Sequence, residues 1–412
     1  MRRAKPFACR KLLLVGTILT TSSFISTVVQ AQNSMVRVDT VTVVATKTEQ
    51  PTFNIPGMVE AINTDDASLS GATALSDIFL NTPSVQFNGT ARRNGQVPSI
   101  RGFSSDSILV QFDGVRQNFQ SGHDGQFFID PSLIKQVEVV RGPSSSLYGS
   151  GALGGVIAFQ TLQADDLLSS GDKMGAEISL NYGSVNNDFT ETLKGAVRHG
   201  DFDIIAGLTK SDSGNIELGD GNELNAADDL WSGIINANYY IDDFQTLSLG
   251  FNGYSLDAEE PNNPQVGLDD DVAGDTVDKD TQSYTSRIKY AFENPDHAFL
   301  NNFSAQVYYT DTEVEETILV DTDLSNPGDV ISRQLETYGI NIDNQTYLSG
   351  IGDHVLSYGL EYYQDEQDGG DTGNADGSGD AIPDAEAGTL GLYLQNELTF
   401  TELGDVPGEI TF

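Results

Sequence analysis

Pro98-Ser99-Ile100-Arg101-Gly102-Phe103, Ile108-Leu109-Val110-Gln111-Phe112-Asp113-Gly114-Val115-Arg116, Ser121-Gly122-His123-Asp124-Gly125, Phe127-Phe128-Ile129-Asp130-Pro131, Val137-Glu138-Val139-Val140-Arg141-Gly142-Pro143 and Tyr148-Gly149-Ser150-Gly151-Ala152-Leu153-Gly154-Gly155-Val156-Ile157 follow one another between Pro98 and Thr161. Ile108 to Phe112 and Gln136 to Val140 are apolar runs of strand length, rich in β-branched residues. Asp113-Gly114 predicts a tight turn, because Gly accepts positive φ and Asp bonds its own backbone. Five glycines between Gly142 and Gly155 allow close backbone approach. The stretch reads as a small, turn-dense α+β unit.

In this order the segments resemble the plug domain of TonB-dependent outer-membrane receptors, over roughly Asp39 to Leu168. The run from Arg92-Arg93-Asn94-Gly95-Gln96 through Ser121-Gly122-His123 to Thr161-Leu162 is most similar to the haem/haemoglobin receptor branch. Gly149 to Ile157 and Ala164-Asp165-Asp166-Leu167-Leu168 belong to the same likeness.

Outward from this unit, Ala74 to Asn81 is expected to form a short amphipathic helix, with Leu75, Ile78 and Phe79 on one side and Pro83 beyond its end. Ser132 to Lys135 is expected to add a turn. Upstream, Arg2, Arg3, Lys5, Arg10 and Lys11 precede an apolar stretch from Leu12 to Ile25, and Val29-Gln30-Ala31 fits a small-residue cleavage site. Residues 1–31 therefore read as an export signal. Cys9, the one cysteine, lies inside it, so the exported chain has no thiol chemistry. Residues 32–50 form a polar N-terminal segment. Its β-prone run resembles the TonB box, with Asp39, Thr40, Val41, Thr42, Val43, Val44 and Ala45 as the core. An exposed run of this kind can add as a strand to a partner's sheet. The plug is placed at 51–168.

From Lys173 the pattern changes to period two, and 173–412 is expected to be the N-terminal part of a transmembrane antiparallel β-barrel. Leu356, Tyr358, Leu360 and Tyr362 alternate with Ser357, Gly359 and Glu361. Leu390, Leu392 and Leu394 repeat the pattern, as do Phe303, Ala305, Val307 and Tyr309 against Ser304, Gln306 and Tyr308. One apolar and one polar face suit lipid outside and a polar lumen inside. A soluble sandwich alternates in the same way. Tyrosine favours the barrel: 13 of 15 lie between Tyr239 and Tyr393, as interfacial girdles require. Short links near 198–202, 241–244, 293–299 and 349–353 alternate with long ones near 211–229, 257–281, 311–332 and 365–388. About ten strands precede Phe400, against about 22 in plugged transporters, so an incomplete barrel is expected.

The chain is strongly acidic, with 61 Asp and Glu against 21 Lys and Arg. Without the five basic residues of 1–31 its formal charge moves from −40 to −45. Such a chain is unsuited to nucleic acid, whose recognition depends on Lys and Arg. The acidity is assigned to solvated loops. No Ser/His/Asp set, zinc spacing or phosphate loop is found, so no enzyme is expected.

The resemblance implies an energy-coupled importer in the outer membrane of a Gram-negative bacterium. TonB and outer-membrane lipid are its expected partners, and haem or haemoglobin-derived haem its cargo. A ferric siderophore or other iron carrier is the alternative cargo, and a non-transporting adhesin or scaffold the alternative of another class. In the resembling haem receptors the histidine at this Ser-Gly-His position is a haem ligand, which points to His123 as axial ligand to haem iron. An imidazole on a glycine-flanked loop suits that role. In that family plug arginines pair with carboxylates on the barrel wall, and Arg101, Arg116, Glu138 and Arg141 are the candidates for such a latch.

Overall fold

The computed structural model describes residues 42–43, 50–51, 58–64, 71–89, 91–121, 123–265, 276–320, 326–350, 352–372, 382–403 and 406–411. The export segment 1–31 lies outside these residues, as do Asp39, Thr40, Val41, Val44 and Ala45 of the TonB-box stretch. Its other two residues form β1 (Thr42–Val43), which pairs antiparallel with β2 (Gln50–Pro51).

The plug follows as β3 (Met58–Asn63), α1 (Leu75–Ile78), β4 (Val85–Asn88), β5 (Val97–Ile100), β6 (Phe103–Ser104), β7 (Ile108–Phe112), β8 (Val115–Arg116), β9 (Ile134–Arg141), α2 (Ser145–Tyr148), β10 (Gly155–Thr161) and α3 (Ala164–Leu167). Five strands make a mixed sheet in the order β3-β9-β10-β7-β8, with β10 and β7 parallel. A second sheet has the order β4-β5-β6.

The expected turn at Asp113-Gly114 forms, with both residues at positive φ (48° and 78°), the backbone that a two-residue hairpin loop requires. The Asp113 carboxylate then accepts from the Thr161 backbone N–H at 2.9 Å and the Thr161 hydroxyl at 2.6 Å. At Gly155 an added Cβ would lie 2.2 Å from the Val140 carbonyl oxygen, so the close β9–β10 contact admits no side chain.

The helix read at 74–81 is shorter, confined to α1. Asp77 bonds the Thr73 and Ala74 backbone N–H groups at its start (2.9 and 3.0 Å), and Thr82 and Pro83 follow too soon for a second turn. Leu75, Ile78 and Phe79 nevertheless enter the core with Ile108, Val110, Phe112, Val137, Val139, Ile157 and Phe159. Each such burial contributes about 1.5–3 kcal/mol. Ala196, Ile205 and Ile234 of the barrel wall join the same cluster, so plug and wall share one core.

The wall is a single antiparallel sheet. Its strands are β11 (Met174–Gly183), β12 (Asp188–His199) and β13 (Phe202–Ser213), then, after the small β14 (Ile216–Glu217) and β15 (Glu223–Leu224) pair, β16 (Ala227–Asp242), β17 (Gln245–Pro261), β18 (Thr276–Glu293), β19 (Asn302–Ile318), β20 (Val330–Gly350), β21 (Gly352–Asp371), β22 (Ala385–Leu403) and β23 (Val406–Thr411). The eleven strands pair in sequence order, and the edge strands β11 and β23 do not pair with each other.

Burial along these strands is the reverse of a soluble sandwich. On β16, Trp231 and Ile235 are 45% and 47% exposed, while Ser232 and Asn236 between and beside them are 1% and 3% exposed. Leu390, Leu392 and Leu394 are likewise exposed, and Thr209, Thr281 and Thr337 buried. Apolar side chains face outward and polar ones face the plug, as lipid outside and a polar interior demand.

The strands also run further than the sequence pattern indicated, β20 reaching 21 residues where about 9–11 cross a bilayer. Of the residues assigned above to the long links at 257–281 and 311–332, 257–261 lie in β17, 276–281 in β18 and 311–318 in β19. Part of the acidity assigned to loops is therefore carried by strands instead. Asp229, Asp257, Asp280 and Glu315 sit directly opposite one another on four adjacent strands, exposed on the outward face. On these extensions the inward face stays buried, as at Leu256, Val277 and Lys279, while the outward face is charged, so the apolar-out alternation vanishes while the ladder continues.

Candidate functional site

The His123 loop begins and ends at a bridge between Ser121 and Gly125. The Gly125 N–H donates to the Ser121 carbonyl at 2.9 Å, and the Ser121 N–H returns a bond at 3.3 Å. The Ser121 hydroxyl oxygen accepts the N–H groups of His123 (3.2 Å) and Asp124 (3.1 Å). This narrow turn holds His123 exposed, and its imidazole makes no hydrogen bond among the described residues.

The loop meets the wall where β17, β18 and β19 enter their long links. There Lys279 of β18 is fully buried, with its ammonium 3.4 Å from the His123 carbonyl and 3.2 Å from Asp124 Oδ1. Glu316 Oε1 of β19 lies 2.7 Å and Glu260 Oε1 of β17 3.5 Å from the same nitrogen. His199, His297 and His354 fall at the other end, at the end of β12, in the link after β18 and at the start of β21. The plug histidine is thus the one that faces the long links.

The neighbouring plug segment Arg92–Gln96 grips the same rim. Arg92 donates to the carbonyls of Asn225 (2.5 Å) and Pro264 (2.9 Å). Arg93 reaches Asp188 at 3.3 Å and Asp228 at 3.0 Å. Asn94 donates to Glu260 Oε1 at 3.0 Å. Burial pulls the Arg93 guanidinium down, but Asp228, Asp130 and Asp188 together outweigh it and leave its pKa raised. Burial also pushes the Asp130 carboxyl up, against the bonds it accepts from Ser132 and the charge of Arg93.

Arg116 is the candidate that the structure brings to a wall carboxylate. Its Nε lies 3.1 Å and its Nη2 3.3 Å from the two oxygens of Glu361 on β21. The same guanidinium donates to the carbonyls of Tyr148 and of Ser150, the latter at 3.0 Å, and stacks on the Tyr363 ring at 4.9 Å. Gly149 and Gly151, at φ 66° and 86°, turn those two carbonyls toward one point.

The other candidates lie elsewhere. Arg141 pairs with Glu60, joining β9 to β3 inside the plug. Glu138, fully buried on β9, accepts from Gln136 Nε2 (3.0 Å) and Gln160 Nε2 (2.5 Å). Arg101, exposed and at φ 51°, contacts the Met58 sulfur. Further plug–wall ion pairs are not among the sequence candidates: Arg93 with Asp188 and Asp228, Lys279 with Asp124, Arg287 of β18 with Asp113 at 3.2 Å, and Arg198 of β12 with Asp165. Strand parity held a signal for two of them. Lys279 and Arg287 share the plug-facing register of Thr281, Ser283 and Thr285, where a cation requires a partner.

Residues 51–156 match the family model described as TonB-dependent Receptor Plug Domain. These residues carry the plug domain of the TonB-dependent receptors, a family of receptors and transporters, and the inverted wall behind it is similar to the wall of that family. Among curated relatives it is similar to the Hemin receptor of Yersinia enterocolitica, 34% identical over 90% of this chain and 52% of that protein. The Hemin receptor of Yersinia pestis is 31% identical over 93% of this chain and 55% of its own length. The chain spans about half the length of these relatives. Its fold is shared with a solved Serratia marcescens hemophore receptor, HasR, in complex with its hemophore HasA and heme, at a TM-score of 0.71 and 20% identity over 84% of this chain and 50% of that one.

Proposed function

We propose that the chain is part of an outer-membrane importer that takes up haem, free or released from haemoglobin, with residues 1–31 as its export signal. The observation that carries the cargo reading is the placement of His123: an exposed imidazole on a tied loop, facing the long links of the wall. Similarity to two hemin receptors supports the same cargo. A neutral imidazole nitrogen is an ordinary axial ligand for haem iron. In this reading haem is cargo, held at the plug by His123 and released inward when the plug shifts. TonB pairs with the β-prone stretch Asp39 to Ala45 and supplies the pull. Arg116 with Glu361 is the latch that holds the plug until then, with Arg101, Glu138 and Arg141 stiffening the body that is pulled.

Haem titration of the receptor tests the cargo site. His123→Ala is expected to weaken haem binding by about tenfold or more, roughly the 1.4 kcal/mol of one lost ligand contact, and to shift the Soret band. An unchanged band and affinity would remove His123 from the site. Stronger growth on a ferric siderophore than on haem as sole iron source would move the cargo to the other iron carriers.

A further inference from the structure

We infer that Lys279 positions the His123 loop for cargo, tying it to the wall and to the external link that starts at Asn262. The inference rests on the reading of His123 as the ligand to cargo iron. An ammonium has three donors, and five acceptors surround this one. They are the carbonyls of His123 and Asn262 (3.4 and 3.3 Å) and the carboxylates of Asp124, Glu260 and Glu316. Two of the five belong to the loop, two to neighbouring strands and one to an external link.

A second wall cation works beside it. Arg333 of β20 donates to the Gln120 carbonyl at 3.1 Å and stacks on Phe119 at 4.8 Å. The stem of the loop is therefore held by Arg333 and its tip by Lys279. Both grip backbone carbonyls, which leaves the imidazole free. Through Asn262 the link that also carries Pro264 and Gln265 is fixed to the same nitrogen. Pro264 and Gln265 in turn touch the plug, at Arg92 and Gly95 (2.9 and 3.1 Å). One side chain thus connects Asn262, at the start of that link, to His123.

The test uses the receptor with Lys279→Met, which keeps the stem length and removes the charge. Because that change strands three carboxylates, a second variant combines Lys279→Met with Asp124→Asn and Glu316→Gln. It lacks the tether and most of the like-charge repulsion. In the ligand-free protein, amide hydrogen exchange at 121–125 is expected to accelerate about tenfold or more, as local opening becomes easier, while β9 and β10 exchange as in the wild type. Haem affinity is expected to fall about tenfold with the saturated Soret band unmoved, since the imidazole is still present.

Wild-type exchange at 121–125 in both variants overturns the inference whatever haem does. So does unchanged haem affinity in the second variant, provided His123→Ala loses affinity. If His123→Ala changes neither band nor affinity, the ligand reading falls and the exchange rates alone decide the tether.

Discussion

Arg116 and Glu361 form a pair that is 3% and 16% exposed, so its charges are largely out of water. Removing one partner of such a pair costs about 3–5 kcal/mol, because the other is left buried and uncompensated. Arg116→Met is therefore expected to lower the denaturation midpoint markedly. The double variant with Glu361→Met should recover part of the loss, and strictly additive effects would show that the two residues do not act as a pair. Gly155→Ala tests the plug core in the same way. Its Cβ meets the Val140 carbonyl at 2.2 Å, so β9 and β10 must separate, at about 1–3 kcal/mol. A thermal midpoint equal to wild type would mean that the two strands are not held as close as described.

At the scale of the element, the wall strands combine two surfaces. Their central parts face outward with Leu208, Trp231, Ile235 and Ile288, and their extensions face outward with rows of carboxylates. Like charges directly opposite on paired strands repel, and exposed charges are screened over about 10 Å at 0.1 M salt. The denaturation midpoint is accordingly expected to rise with added salt, and the response to shrink in an Asp257→Asn, Asp280→Asn double variant. A midpoint that falls with salt, or an undiminished response, would contradict this.

These rows mark where sequence reading ran out. Leu390, Leu392 and Leu394 declared a strand because one face was apolar, whereas Asp278-Lys279-Asp280 on β18 offered no such contrast and read as loop. The helix at α1 was overextended for a related reason. Its apolar spacing shows which residues are buried, but not that the helix stops at Ile78, well before Pro83.

For the whole molecule, the order of parts was legible in the sequence: a glycine-rich plug, then strands whose apolar side faces out. Local chemistry such as Asp113-Gly114 and the burial of Leu75, Ile78 and Phe79 could be read directly. The ties between plug and wall could not. Lys279 and Asp124 are 155 residues apart, and only the packing of the wall sheet around the plug brings them together. Arg116 stands out as a charge in a tight plug segment, whereas nothing local to Arg93 or Arg287 says which carboxylate each will meet. The site that emerges is a rim where the plug loops at 92–96 and 121–125 are fastened to the outer ends of β17 to β19, with one free imidazole among them. Pulling on the N-terminal segment would act against these ties.

The account turns on that pull. Haem-dependent growth of iron-starved cells carrying the receptor, with and without residues 39–45, measures it most directly. Loss of growth on haem in the deletion, with haem binding at the cell surface retained, is the predicted result. Undiminished growth on haem without those residues would contradict the account.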